Sequence, residues 1–416
     1  MRIKEFSVKG SNLAVVMAVA SVLGCEGPSP DSLPPGFTVR DSAGVRVMEN
    51  LEPAWSDGEG WRIGDLLTSV GELEGDPSLL LYRVSDGTRL SDGRVVVANS
   101  GTSELRFFDA EGRFLRSVGR VGGGPGEFQS DNTIRALVRL PGDTLLTWDI
   151  YGQNLSLFDP EGEFVRATRL AFSGRMYFWR GIFPDRNLLM ALRNPDAPTL
   201  TGAGVFPRLV RLVNISSEGD SLGVYMDYDE GAWHYKTSGD HARMLEPPLH
   251  RVSTLKVGGD RVYLASGESN EYVVLGRDQA PILISRRLIP PDPVTEEDRA
   301  RHLVDVLEGA PENAQPLIRR DLADIPLPDF LPPYRRMMVD SEQNVWLEDY
   351  SISPGAPNSW AVFDSSGRWL GGVTLPEGLD PYEIGPDYLL GEVEDEMDVE
   401  RVVVYALVKG VSGGRP

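Results

Sequence analysis

One short phrase recurs along this chain of 416 residues: Phe108-Asp-Ala-Glu-Gly112, Phe158-Asp-Pro-Glu-Gly162 and Phe363-Asp-Ser-Ser-Gly367. Each copy is flanked by short runs of β-branched and aromatic residues. Residues 94–99, 103–112 and 113–118 read as three strands joined by tight turns. The same order returns at 144–148, 155–162 and 163–170, and again at 344–347, 360–367 and 368–373. Weaker copies lie at 213–219 and 275–278. Asp109 and Asp159 are about 50 residues apart. A period of about 40–50 residues with four strands per unit is the signature of a β-propeller.

Six units can be counted, beginning near Tyr82, Ile134, Trp179, His250, Tyr334 and Tyr382. The last contains only three strands. The hairpin at 37–48 is expected to supply the fourth and so close the ring, which removes the open sheet edges. Residues 290–333 break the pattern. Thr295 and Asp298 have capping-box spacing, and Ala300, Leu303, Val304 and Leu307 form one apolar stripe stopped by Gly309 and Pro311. A second short helix is expected over 316–324. The predicted fold is an all-β, six-bladed propeller over 37–411, with this helical insertion between blades 4 and 5 as a cap or lid.

The N-terminus carries an address. Arg2, Lys4 and Lys9 precede an uncharged apolar run at 13–23, which is too short to span a bilayer and suits a signal-peptide core. The run ends in Val22-Leu23-Gly24-Cys25, and Cys25 is the only cysteine in the chain. This pattern resembles a bacterial lipobox, which implies cleavage after residue 24 and lipid attachment at Cys25. The Pro- and Gly-rich stretch at 25–36 reads as a tether. A lone cysteine also excludes an internal disulfide and a cysteine-rich metal site. With 41 Lys+Arg against 62 Asp+Glu, the net charge of −21 argues against a nucleic-acid partner.

The segment Val118-Gly-Arg-Val-Gly-Gly-Gly-Pro-Gly-Glu-Phe128 resembles the inter-blade loop of NHL-type six-bladed propellers. The hairpins Asp92-Gly-Arg-Val-Val-Val97 and Asp340-Ser-Glu-Gln-Asn-Val-Trp346 resemble theirs too. With the lipobox, the arrangement is similar to the six-bladed β-propeller lipoproteins of bacterial envelopes. The resemblance covers about residues 37–410 and implies a fold and an envelope location, but no particular activity.

Several motifs invite misreading. The glycine run at 122–126 has no helix behind it to aim N–H groups at a phosphate. Ser221 sits in a Gly-x-Ser-x-Gly match, but in a hairpin turn rather than a nucleophile elbow. His234, His241 and His250 lack zinc-protease spacing. The acidic runs at 227–230 and 392–398 leave surface Ca²⁺ open without forming a complete calcium loop.

The most informative constellation comes from superposing the units. Arg83, Arg135, Arg180, Arg251 and Arg335 stand at the starts of the first five innermost strands, as Tyr82-Arg83, Ile134-Arg135, Trp179-Arg180, His250-Arg251 and Tyr334-Arg335. They are expected to ring one mouth of the central channel, where guanidinium forks recognise carboxylate or phosphate. The competing expectation is that each pairs with a carboxylate of a neighbouring blade. His250 and Asn99 are candidate polar residues of the channel. These features point to a lipid-anchored binding module for an anionic small molecule or a protein partner. A lactonase- or lyase-type enzyme with a channel metal is the first alternative, and a scaffold without ligand the second.

Overall fold

The structure is a computed structural model. It describes residues 36–56, 58–170, 176–197, 203–238, 241–323, 325–352, 356–395 and 397–410. The signal segment, Cys25 and most of the tether lie outside the described residues.

The second strand of the first unit, Val95–Asn99, is buried at every position. Successive side chains of a strand point to opposite faces, so both faces of this strand need cover. Val95 and Val97 pack with Tyr388, Leu390 and Val402. Val96 and Ala98 pack instead with Ile134, Leu145 and Phe158. The sheet is therefore sandwiched between two others, and the same holds around the ring. Each of six apolar clusters lies between one pair of neighbouring sheets. Burying such a side chain is worth about 1.5–3 kcal/mol, so every sheet depends on both its neighbours.

Among the described residues, six sheets make six blades. Their innermost strands are Val84–Arg89, Ile134–Arg139, Phe178–Ile182, Thr254–Gly258, Tyr334–Val339 and Asp380–Ile384. These strands agree closely with the expected blade starts. The recurring phrase forms the turn between the third and fourth strands. Asp109 Oδ1 accepts hydrogen bonds from the backbone N of Glu111 and Arg113, and Asp159 and Asp364 repeat the pattern. Gly112 takes a φ of 84°, and a Cβ there would meet Ser69 O at 2.8 Å. The run at 392–398 contains a turn of the same chemistry, here between the second and third strands of blade 6. Asp395 Oδ1 accepts from Met397 N and Val399 N, and Asp398 takes the left-handed position with φ 57°.

The ring is closed by the N-terminal segment, but not by the expected hairpin. Arg62–Val70 pairs antiparallel with Glu400–Val408 and completes blade 6. The hairpin Phe37–Ser42 and Val45–Asn50 instead extends blade 4, its second strand running parallel to Pro281–Arg287. Counting strands shows that one is missing; it does not show which nearby strand reaches the gap. Asn50, fully buried, fixes the hairpin. Its Nδ2 donates to Ser285 Oγ, Arg286 O and Gly367 O, and its Oδ1 accepts from Trp369 N at 2.8 Å. The chain then bonds to blade 5 through Ala54 N and Trp55 N, and Trp55, Trp61 and Trp346 pack ring against ring. Residues 36–71 thus strap blade 4 to blades 5 and 6.

The insertion contains α1 (Glu296–Glu308) and α2 (Gln315–Ala323). Thr295 and Asp298 form the predicted capping box. The predicted stripe is only partly covered, with Leu307 buried and Val304 52% exposed. In blade 3 the strands Gly204–Ile215 and Ser221–Ser238 outgrow their neighbours. Their register carries them past Arg193, on the face where the inner strands begin. Lys236 Nζ donates to Arg320 O at 3.0 Å, joining this extension to α2.

Removing residues 36–52 is expected to lower the melting temperature while leaving one cooperative transition. Removing 36–71 takes away the closing strand and should abolish that transition in calorimetry. Asn50→Ala leaves buried groups without partners and should cost about 2–4 kcal/mol by urea titration.

Candidate functional site

The first residues of the inner strands share an irregularity that positions the site. In blade 2, Ile134 pairs with Asp149 and Ala136 with Trp148, leaving Arg135 as the extra residue of a β-bulge. The same shift isolates Ser85 in blade 1, Arg180 in blade 3, Arg335 in blade 5 and Tyr382 in blade 6. Bulges bend a strand and re-aim the extra side chain. Ser85, Arg135, Arg180 and Tyr382 line a cavity of about 870 Å³ formed by the inner strands of all six blades. Arg335 faces a separate recess of about 470 Å³ with Arg336, Glu348 and Asp380.

The expected five-arginine ring is thus divided. Arg135 and Arg180 line the channel. Arg83 lies two residues before its bulge, with its guanidinium 5.1 Å from the Tyr82 ring centroid. Arg251 precedes an inner strand that begins at Thr254, and it pairs with Asp229 at 2.8 Å and Glu268 at 3.1 Å. Arg335 lies 3.9 Å from Glu348. The aromatic–arginine doublets suggested five equivalent positions, but lead-in loops of unequal length put Tyr82-Arg83 and His250-Arg251 outside the bulge register. His250 is half-buried with Nδ1 3.0 Å from Pro248 O, outside the channel lining. Asn99 is fully buried; its Oδ1 accepts from Tyr82 N and its Nδ2 donates to Thr102 Oγ1, both at 2.7 Å. Its chemistry is spent on a turn.

Two channel groups were not legible in the sequence. Asp86 follows the blade 1 bulge, and its carboxylate bridges two blades by accepting from Gly87 N at 2.9 Å and Leu137 N at 2.8 Å. Burial pushes its carboxyl up to about 7; the two backbone N–H groups and Lys256 oppose the shift, and Glu383 adds to it. Lys256, from blade 4, lines the same cavity. The enclosing walls lower its ammonium pKa, against the pull of Asp86 and Asp380. Charged groups of blades 1, 3, 5 and 6 all act on it, as expected for a side chain near the axis. A lysine in a strand written Thr254-Leu-Lys-Val-Gly258 reads as an outward-facing residue until the six strands are assembled.

The remaining charges of the channel are largely matched. Arg180 pairs with Glu230. Arg139 lies 3.4 Å from Asp143 and 3.6 Å from Glu383. Glu383 also accepts from Thr88 Oγ1 at 2.6 Å and Arg89 N at 3.1 Å, tying blade 6 to blade 1. Arg135, by contrast, donates among the described residues only to Asn132 Oδ1 and Ile134 O. Among the described residues, neither Arg135 nor Lys256 has a carboxylate within ion-pair distance. No three His, Cys, Asp or Glu side chains among the described residues converge as metal ligands. No described helix is long and apolar enough to cross a membrane.

A family model, DUF5128, described as a 6-bladed beta-propeller, matches residues 72–173, which span blades 1 and 2. This chain is a six-bladed β-propeller. A Bacteroides fragilis protein predicted to be exported is similar at 14% identity and a TM-score of 0.50, over 87% of this chain and 99% of that one. A DUF4221 family member from Bacteroides vulgatus is similar at 10% identity and a TM-score of 0.46, over 84% and 99%. Virginiamycin B lyase from Staphylococcus aureus is similar at 8% identity and a TM-score of 0.40, over 81% and 98%. No curated protein matches. At these identities the likeness concerns fold alone.

Asp86 yields a signed prediction. Its folded-state pKa is raised, so its contribution to stability is complete below about pH 4 and is lost as pH rises through about 7. Asp86→Asn gives up one of the two backbone hydrogen bonds at every pH, so the signed outcome is the difference: its stability relative to wild type should be roughly 1–2 kcal/mol more favourable at pH 8 than at pH 4. Urea titrations at the two pH values check this; an equal effect at both would show that the carboxyl titrates normally.

Proposed function

We propose that this propeller is a binding module of the bacterial envelope, held to a membrane by lipid on Cys25, and that its channel takes a small anionic ligand. The observation that carries the ligand reading is the pair Arg135 and Lys256. Both line a polar cavity, and among the described residues neither has a carboxylate within ion-pair distance. Asp86, the acidic group nearest in role, is held largely protonated below about pH 7 and so subtracts little charge there. A carboxylate or phosphate entering the mouth would meet a guanidinium fork from one side and an ammonium from deeper in the lumen. In a chain of net charge −21, such a local surplus would focus anions into the channel.

The exported relative and the apolar N-terminal run support an envelope location. A catalytic reading draws on one feature, the near-neutral carboxyl of Asp86 in a cavity, which is suited to general acid–base work. The metal-assisted form has no converging set of three His, Cys, Asp or Glu donors among the described residues to draw on.

Two measurements test the proposal. Cys25→Ser should move the protein from the membrane to the soluble fraction; persistence in the membrane fraction would refute lipid anchoring. Titration calorimetry with inorganic phosphate and with citrate should detect binding to wild type and at least a tenfold loss in Arg135→Ala/Lys256→Met, with melting unchanged. Equal affinities in the two proteins would refute the channel site.

A further inference from the structure

A second cavity, of about 390 Å³, opens between the elongated strands of blade 3, beside the channel. Its size falls in the range of small-molecule sites, roughly 300–1,000 Å³. Among the described residues, the two cavities share only Arg180 and Glu230 in their linings. Their characters differ. The channel is walled by charged and polar groups, whereas this pocket is walled by large apolar side chains, among them Phe178, Phe206, Trp233 and Met244. Phe178 is 42% exposed and Met244 47% exposed, although both belong to strands. The other inner strands carry nothing comparable, and the pocket exists because Gly204–Ile215 and Ser221–Ser238 run on past the blade.

The charged groups of the pocket do not balance. Among the described residues, Arg180, Arg193 and Arg208 line it against the single carboxylate of Glu230. That carboxylate is already engaged. It pairs with Arg180, lies 3.1 Å from Arg208 Nε and accepts from Tyr228 Oη at 2.9 Å. Arg208 lies over Trp233, 5.0 Å from the ring centroid, and reaches Glu246 at 3.4 Å with its Nη1. Its Nε is buried and has no hydrogen-bond acceptor, because Glu230 lies off the N–H direction. Arg193 is exposed at the rim and has no carboxylate within ion-pair distance among the described residues. An apolar chamber thus ends in three guanidinium groups, of which Arg193 alone has no carboxylate partner among the described residues.

We propose that this pocket binds an amphipathic small molecule, an aromatic or branched apolar body seated against Phe206 and Trp233 with a carboxylate head that accepts hydrogen bonds from Arg193 and Arg208. A neutral apolar molecule would fill the chamber and leave Arg193 without a partner. A bare anion would pair with Arg193 and bury no apolar surface. The combined ligand does both. Burial of the body supplies most of the affinity and the charge-assisted hydrogen bonds supply the selection. The site goes beyond the channel reading and can stand or fall without it.

The test uses the mature protein and three probes: naphthylacetate, its primary amide and inorganic phosphate. Quenching of tryptophan fluorescence and calorimetry follow binding. Naphthylacetate should bind at least about tenfold more tightly than the amide. Arg193→Ala should bring the acid close to the amide, and Met244→Trp, which narrows the mouth at an exposed position, should abolish binding of both. Neither change should move the melting temperature by more than about 2 °C. Equal affinity for acid and amide would overturn the carboxylate assignment; no binding of the acid, or binding unaffected by Met244→Trp, would overturn the site. Phosphate titrations of Arg135→Ala/Lys256→Met report on the channel alone, so failure of either site is recognised separately.

Discussion

Each blade of this protein is apolar on both faces, and only a closed ring can cover both faces of every blade. Val95 and Val97 need blade 6, while Val96 and Ala98 need blade 2. Removing any one neighbour would expose half of a core strand. The pairing of Arg62–Val70 with Glu400–Val408 is therefore the contact on which the remainder rests. It joins residues from opposite ends of the folded chain, which makes the ring cooperative and ties the start of the domain to its finish. Asn50 serves the same end one blade earlier, fastening the hairpin to blades 4 and 5 through four hydrogen bonds.

Ring closure also creates the site. Six inner strands brought edge to edge around an axis leave a lumen, and a bulge at the start of five of them turns one side chain per blade toward a cavity. The occupants of that position are serine, three arginines and tyrosine, so the mouth is asymmetric. Deeper in, Lys256 and Asp86 come from different blades and feel one another only because the ring is closed. Blade 3 departs from the repeat by lengthening two strands, and this departure adds an apolar chamber next to a polar one. The helical insertion rises from the same face and touches that extension through Lys236 and Arg320. Variation in this fold is thus concentrated at the end where the inner strands begin, as expected where a rigid scaffold carries loops that can change freely.

Much of the architecture was legible because the repeat has local causes. Asp109, Asp159 and Asp364 recur because a carboxylate must accept two backbone N–H groups in the turn, and Gly112 recurs because φ must be positive there. The capping box of Thr295 and Asp298 was legible for the same reason: its partners are three residues apart. The candidate site was legible only in part. Arg135 and Arg180 were found through their place in the repeat. Arg83 and Arg251 carry the same local signature but precede the bulge register, which depends on pairing with a neighbouring strand. Asn99 looked like a channel residue and is instead consumed by Tyr82 N and Thr102.

By itself, then, the sequence determined the strand period, the blade count, the turn chemistry and the position of the helical insertion, all of which follow from interactions within about ten residues. Tertiary structure decided which N-terminal strand closes the ring, which arginines reach the lumen, and that Lys256 and Asp86 share it. These outcomes depend on contacts between residues up to several hundred positions apart, such as Val402 with Val70 and Asn50 with Gly367. No local pattern encodes such distances, because the same strand of alternating side chains is written identically whether it lies at an edge, in a gap or around an axis.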